Sequence, residues 1–395
     1  MREAVGARRW RKWPWLALSV AMVVMPPTSW LMAHRLSSRA FPPAPWSESA
    51  LPRIPPARVN GLDDVVLSPA WTLSTVDDDL KNLAGSLDRA HPPPQARDAE
   101  SPETRWAEVV RRQDRVRDWM SPDALRRREL AQIDAVLTAP YFADPCRRRA
   151  TRQCRVLELL NLAYFVVLTD LEAGLRGDWS QAFVRAVDLL LAAEVMIPTT
   201  RALASSAAAL IVAQIAVDHL RVLLAGYQAD ATIGSTRTEL IALRPVLEVY
   251  FTALNAPDAL GRDDVSSRSA LIDECHFVRN SLMPAISDPA ANPKLPGGVF
   301  AAYLIDPRAT IAASDAEFVA LMRWVEAPDH ATRPAPVFRE YASGPGWWLW
   351  NPGGKQVLDL VHVRFEAHAK GMDRRADRLF VARAALRGEL AALLR

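Results

Sequence analysis

Nineteen consecutive residues without a charge, 15–33 (WLALSVAMVVMPPTSWLMA), limit what this chain can fold into more than any other feature. A bilayer core offers no water to backbone N–H and C=O groups. A crossing segment must therefore be helical, and the crossing takes about 20 apolar residues. Before the span stand Arg2, Arg8, Arg9, Arg11 and Lys12 against Glu3 alone, while only Arg35 and Arg39 follow closely. By the positive-inside rule this asymmetry keeps the head in the cytoplasm and exports the rest. Trp13, Trp15 and Trp30 sit near the two ends, where interfacial anchors belong. Residues 1–38 are therefore expected to be a basic head and an uncleaved transmembrane anchor. A cleaved signal peptide is the alternative, but its apolar run is usually about 7–15 residues. Leu31-Met32-Ala33 and Ser38-Arg39-Ala40 are also poor cleavage sites.

Charge excludes one class of partner. The chain carries a net +3, but the basic head alone holds +4, which leaves about −1 for everything else. A basic isoelectric point of this origin reports the anchor and gives no nucleic-acid surface. Arg far outnumbers Lys, and with abundant Ala, Leu and Pro this suggests a GC-rich bacterial genome. Export then means the periplasm and the anchor means the inner membrane. In that oxidising compartment Cys146 and Cys154, which flank the basic segment CRRRATRQC, are expected to close a disulfide, leaving Cys275 free.

Residues 39–100 carry Pro42, Pro43, Pro45, Pro52, Pro55, Pro56, Pro69, Pro92, Pro93 and Pro94. Such density favours extended polyproline segments over a continuous helix, so this stretch reads as a stalk. One amphipathic piece, 71–87, interrupts it. Residues 101–395 then read as a helical domain. Ser101-Pro102-Glu103 pairs a capping residue with a first-turn Pro ahead of residues 104–120, and Ser121-Pro122-Asp123 repeats the pattern. Residues 155–175 are apolar on most faces, as a central bundle helix would be. That helix is expected to end at Gly177, and the next to open at Trp179 and stop at Pro198. A third should run over 204–224 and close at Gly226. Glu158, Asp170, Glu172, Asp218 and His219 make a membrane crossing by these runs costly. Ser314-Asp315-Ala316-Glu317 reads as a capping box before residues 318–327. Residues 351–372 and 374–395 read as two terminal amphipathic helices. Alternation of period two is rare, so the fold class is all-α, a bundle of helical hairpins that a short solenoid-like stack would also satisfy.

Two local resemblances bear on this. The segment Arg176-Gly177-Asp178-Trp179-Ser180-Gln181-Ala182 resembles the inter-helix turn of tetratricopeptide-type repeats, over one turn and without a second copy. It implies hairpins rather than a repeat array. Asn351-Pro352-Gly353-Gly354-Lys355 ahead of the terminal helical pair resembles the C-terminal part of membrane-anchored, all-helical bacterial proteins. That likeness implies architecture and carries over no catalytic residue.

Reaction motifs are sparse. Gly353-Gly354-Lys355 lacks the earlier Gly and the following Ser or Thr of a phosphate loop, since Leu349 and Gln356 occupy those places. Asp273-Glu274-Cys275-His276 gathers four polar groups, but neighbours on a helix point about 100° apart, so at most two could reach one ion. His362 and Glu366 lie one helical turn apart and with His276 form the least implausible catalytic set. No metal or cofactor is assigned. Trp347, Trp348 and Trp350 are candidates for core packing or for a binding groove. The expectation is a membrane-anchored periplasmic protein that binds or scaffolds a cell-envelope partner, more a binding protein than an enzyme. The alternative is a periplasmic hydrolase acting on cell-wall or lipid material.

Overall fold

The computed structural model describes residues 43–47, 80, 101–120, 131–134, 136–137, 156–200, 203–231, 237–255, 260–261, 267–287, 305–327, 351, 354–355, 358 and 365–395. Among these residues every regular element is a helix and no strand occurs. In chain order the helices are α1 (Pro102–Arg111), α2 (Gln113–Trp119), α3 (Val156–Leu175), α4 (Trp179–Met196), α5 (Leu203–Ala231), α6 (Arg237–Leu254), α7 (Ser267–Ser287), α8 (Pro307–Val325) and α9 (Phe365–Leu394), with a 3-10 turn at Ile197–Thr199. Residues 15–33, the Cys146–Cys154 loop and nearly all of the proline-rich stretch lie outside the described residues. The chain divides into two compact units, residues 51–270 with 368–395 and residues 1–50 with 271–367.

In the larger unit α3, α4 and α5 pack against one another pairwise. α3 is buried along most of its length, with Leu162, Phe165, Val166 and Leu168 at 2% exposure or less. It ends as its sequence demands. Gly177 takes φ +81, a conformation glycine enters without strain. Asp178 N–H then bonds to Ala173 C=O and Gly177 N–H to Gly174 C=O, the double bond of a Schellman cap. Asp178 also opens α4, its carboxylate accepting from Gln181 N–H at 3.3 Å. Trp179 follows at the first helical position and is wholly buried.

α5 passes the length and hydropathy test for a membrane span over Leu203–Asp230, yet 72% of that window is buried inside the protein. It is the central helix of the bundle. Its first half is rich in Ala and Ser, which lets neighbours approach closely, and Ser206 Oγ donates to Thr200 Oγ1 at 2.9 Å. The expected closure at Gly226 is not found: the helix continues to Ala231. Gly226 is there for packing, since a Cβ at that position would come within 2.5 Å of the Trp106 ring. Trp106 thereby fastens α1 to the core, its ring tilted 48° against that of Trp179 with centroids 5.4 Å apart. α1 itself starts as expected, Ser101 Oγ accepting from Thr104 N–H with Pro102 in the first turn. The helix expected through 104–120 is broken at Arg112, whose φ and ψ of −105° and 19° leave the helical region.

The C-terminal helix also differs from expectation. Gly371, near the expected boundary of the two terminal helices, lies inside α9, which runs unbroken from Phe365 to Leu394. Within the larger unit its arginines reach the ends of other elements. Arg387 Nη2 donates to Leu254 C=O and Arg383 Nη1 to Leu260 C=O, both at 2.8 Å. Glu389 takes the fork of Arg221 at 2.7 and 2.9 Å.

In the smaller unit α8 begins two turns before the expected capping box. Asp306 is the cap, accepting from Ala309 N–H at 2.9 Å, and Pro307 occupies the first helical position. An Asp-Pro pair starts a helix effectively because the Pro lacks an N–H that would need a partner. Ser314, Asp315 and Glu317 then fall mid-helix and face inward, buried at 8% exposure or less.

Candidate functional site

Residues 273–276 lie on α7, where adjacent side chains diverge. The helix instead pairs Cys275 with Arg279, one turn on, and both meet Asp315 of α8. Arg279 Nη1 donates to Asp315 Oδ2 in a direct ion pair with the two side chains 9% and 11% exposed, and Cys275 Sγ stands 4.0 Å from Asp315 Oδ1. His276 is half-buried, close enough for its charge to act on Asp315. Its Nε2 is buried and has no hydrogen-bond partner among the described residues.

The electrostatics define what this cluster can do. Burial, reinforced by the Asp315 charge, pushes the Cys275 thiol up to about 12. It is therefore a protonated thiol at neutral pH and a poor nucleophile or metal ligand. Burial also raises Asp315, while Arg279 pulls it back toward the charged form. Cys275 is free and buried. Among the described residues no three His, Cys, Asp or Glu side chains are placed to hold a metal ion. The cluster is a polar tie between α7 and α8.

The Asn351–Lys355 segment forms a second tie in the same unit. Asn351 is buried and uses both ends of its amide. Its Oδ1 accepts from Asp306 N–H at 2.7 Å and Gly354 N–H at 3.1 Å, and its Nδ2 donates to Thr310 Oγ1 at 3.0 Å. Gly354 is required because a Cβ there would overlap Asn351 and Thr310. Lys355 N–H closes the turn on Asn351 C=O at 3.1 Å. The described residues of the motif thus clamp their own segment to the start of α8.

Of the set His276, His362 and Glu366, only the His276 side chain is described. Glu366 lies in the first turn of α9 and His362 outside the described residues. Trp347, Trp348 and Trp350 lie outside them too, as do Cys146 and Cys154.

Two buried polar groupings escaped the sequence reading, both in the larger unit. His219 Nε2 and Asp170 Oδ2 are 3.1 Å apart with the side chains 1% and 0% exposed. Glu194 faces Arg383 at 3.0 Å, and both charges act on the buried Tyr250 hydroxyl. The signal for the first was present: Asp170 and His219 are polar residues in otherwise apolar helices, and such residues seldom stay buried without a partner. Which residue met which could not be read, because the two stand 49 positions apart.

Comparison with protein-family models, with curated proteins and with solved structures finds no match to this chain.

Proposed function

We propose that the chain is a single-pass inner-membrane protein, held by residues 15–33 with its head in the cytoplasm, whose periplasmic helical hairpins bind or scaffold a cell-envelope partner. The observation that carries this reading is the basic head followed by an uncharged span and a proline-rich stalk. The polar chemistry of the described helices agrees with it. Asp170–His219, Arg279–Asp315 and Arg383–Glu194 each tie two helices together, and such internal ties suit a rigid binding surface. A hydrolase acting on cell-wall or lipid material, with His276, His362 and Glu366, is the second reading. The Nε2 of His276, without a hydrogen-bond partner among the described residues, favours it, and the protonated, buried Cys275 beside that residue counts against it.

A reporter active only in the cytoplasm, fused after Arg395, should be silent, and a reporter active only in the periplasm should work there. The reverse outcome overturns the topology. Cross-linking in intact membranes should capture a defined envelope protein with the wild-type chain, and less of it when the helical surface is altered. Hydrolysis of envelope material that is lost in His276→Ala would overturn the scaffolding role in favour of the enzyme.

A further inference from the structure

The contact between α3 and α5 encloses an acid and a base. Asp170 and His219 meet through Oδ2 and Nε2 at 3.1 Å, and Asp170 Oδ1 has no hydrogen-bond partner among the described residues. Charged neighbours approach from each packed element. From α4 come Arg185 and Asp188, and from residues 131–134 comes Asp134. The Arg185 charge favours the Asp170 anion, but its guanidinium is forked onto Asp134 at 2.8 and 3.2 Å and the Asp134 and Asp188 charges oppose it. On α5 itself Asp218 is engaged by Gln214 at 3.1 Å. From the α2 end comes the uncharged Met120, whose sulfur lies 3.9 Å from Thr169 Oγ1. An isolated charge in such a place is costly, whichever partner carries it.

We propose that Asp170 and His219 form a one-proton latch between α3 and α5. The pair shares a single proton across the Oδ2–Nε2 hydrogen bond and is neutral overall. A second proton, taken from solvent in acid, leaves an uncompensated cation between the helices and loosens them. Burial supports this assignment from both sides, raising Asp170 well above its ordinary range and lowering His219 to about 3. Because the folded-state value of His219 is depressed, its contribution to stability is complete above the ordinary value of 6.5. That contribution is lost as pH falls from there toward 3. The latch does not depend on the proposed topology or partner.

Two measurements on the full chain in detergent micelles test it. The chain has seven histidines, and with carbon-13-labelled imidazoles one resonance should stay at the neutral position from pH 8 to 5. Its absence from the His219→Gln spectrum assigns it. Titration of every imidazole near 6.5 in the wild type overturns the latch without reference to any variant. Hydrogen exchange of peptides from α3 and α5 gives the second readout. Opening should steepen in acid by roughly one further tenfold per pH unit in the wild type relative to His219→Gln, with His219→Asn as the alternative if Gln does not fold. Equal slopes in wild type and variant overturn the proposal.

Discussion

Two carboxylates buried in this chain have opposite partners. Asp315, in the smaller unit, faces the Arg279 guanidinium in a direct ion pair. Asp170, in the larger unit, faces the His219 imidazole, while the Arg185 guanidinium that acts on it bonds to Asp134. Burial raises both acids; at Asp315 the directly bonded Arg279 pulls the group back toward the charged form, whereas at Asp170 the Arg185 charge opposes burial from a guanidinium that bonds to Asp134. An arginine cannot give up its proton in a protein, so a carboxylate paired with it stays charged. A histidine can, so the acid–imidazole pair settles its charge by moving one proton. Two internal ties that look alike as contacts should therefore respond to mutation and pH in different ways.

Removing the guanidinium should have the largest effect. Arg279→Met leaves Asp315 buried and uncompensated, with an expected loss of roughly 3–5 kcal/mol in urea denaturation at pH 7. Adding Asp315→Asn should recover much of that loss. If the single variant costs no more than an exposed substitution, the Arg279–Asp315 contact is not the charged tie described.

Next comes the neutral clamp in the same unit. Asn351→Ala strands the N–H groups of Asp306 and Gly354, and the expected cost is about 2–4 kcal/mol. Proteolysis around residues 305–310 should rise with it. Asn351→Asp, which keeps the acceptor but not the amide donor to Thr310, should cost less.

Thiol chemistry sharpens the comparison without a mutation. Because burial and Asp315 raise Cys275 to about 12, its alkylation in the folded chain should be far slower than that of a free thiol at pH 8. Arg279→Met should raise that value further, though unfolding of the variant would expose the thiol. The rate is therefore to be read in the fraction still folded. Rapid alkylation of the folded wild type would contradict the buried, protonated assignment.

The smallest effect is expected at Asp170. Asp170→Asn retains an N–H donor for His219 and abolishes the titration, so at pH 7 stability should change by less than about 1 kcal/mol. The sign then varies with pH. A raised folded value means that Asp170 contributes stability in acid, below its ordinary range, and loses it as pH rises through the raised value. Relative to the wild type, Asp170→Asn should gain as pH rises and lose that advantage in acid. A flat difference from pH 4 to 9 would show that Asp170 is an ordinary carboxylate.

Two helix starts were legible because their chemistry is local, although the equally local Asp306-Pro307 start of α8 was missed. Ser101-Pro102 and Gly177-Asp178-Trp179 behave as written because a cap involves residues only three or four positions apart. The misreadings have one cause in common, a local signal that tertiary packing put to another use. Gly226 looked like a helix stop and is a seat for the Trp106 ring. Ser314 to Glu317 looked like a capping box and is an inward face carrying the acid that Arg279 needs. α6 was not anticipated at all, since Pro245 lies inside it on an exposed face. Of the expected site, residues 273–276 fall on α7, while the partner of Arg279 on α8 lay 36 positions away and was invisible.

What the amino-acid sequence determined alone is the class of fold and the places where helices can begin. Apolar runs of helical period, with few β-branched clusters, permit little else, and caps form between near neighbours whatever the rest of the chain does. Only the tertiary structure decided which acid meets an arginine and which meets a histidine. That choice depends on the approach of segments far apart in the chain, and burial then turns it into a charge state.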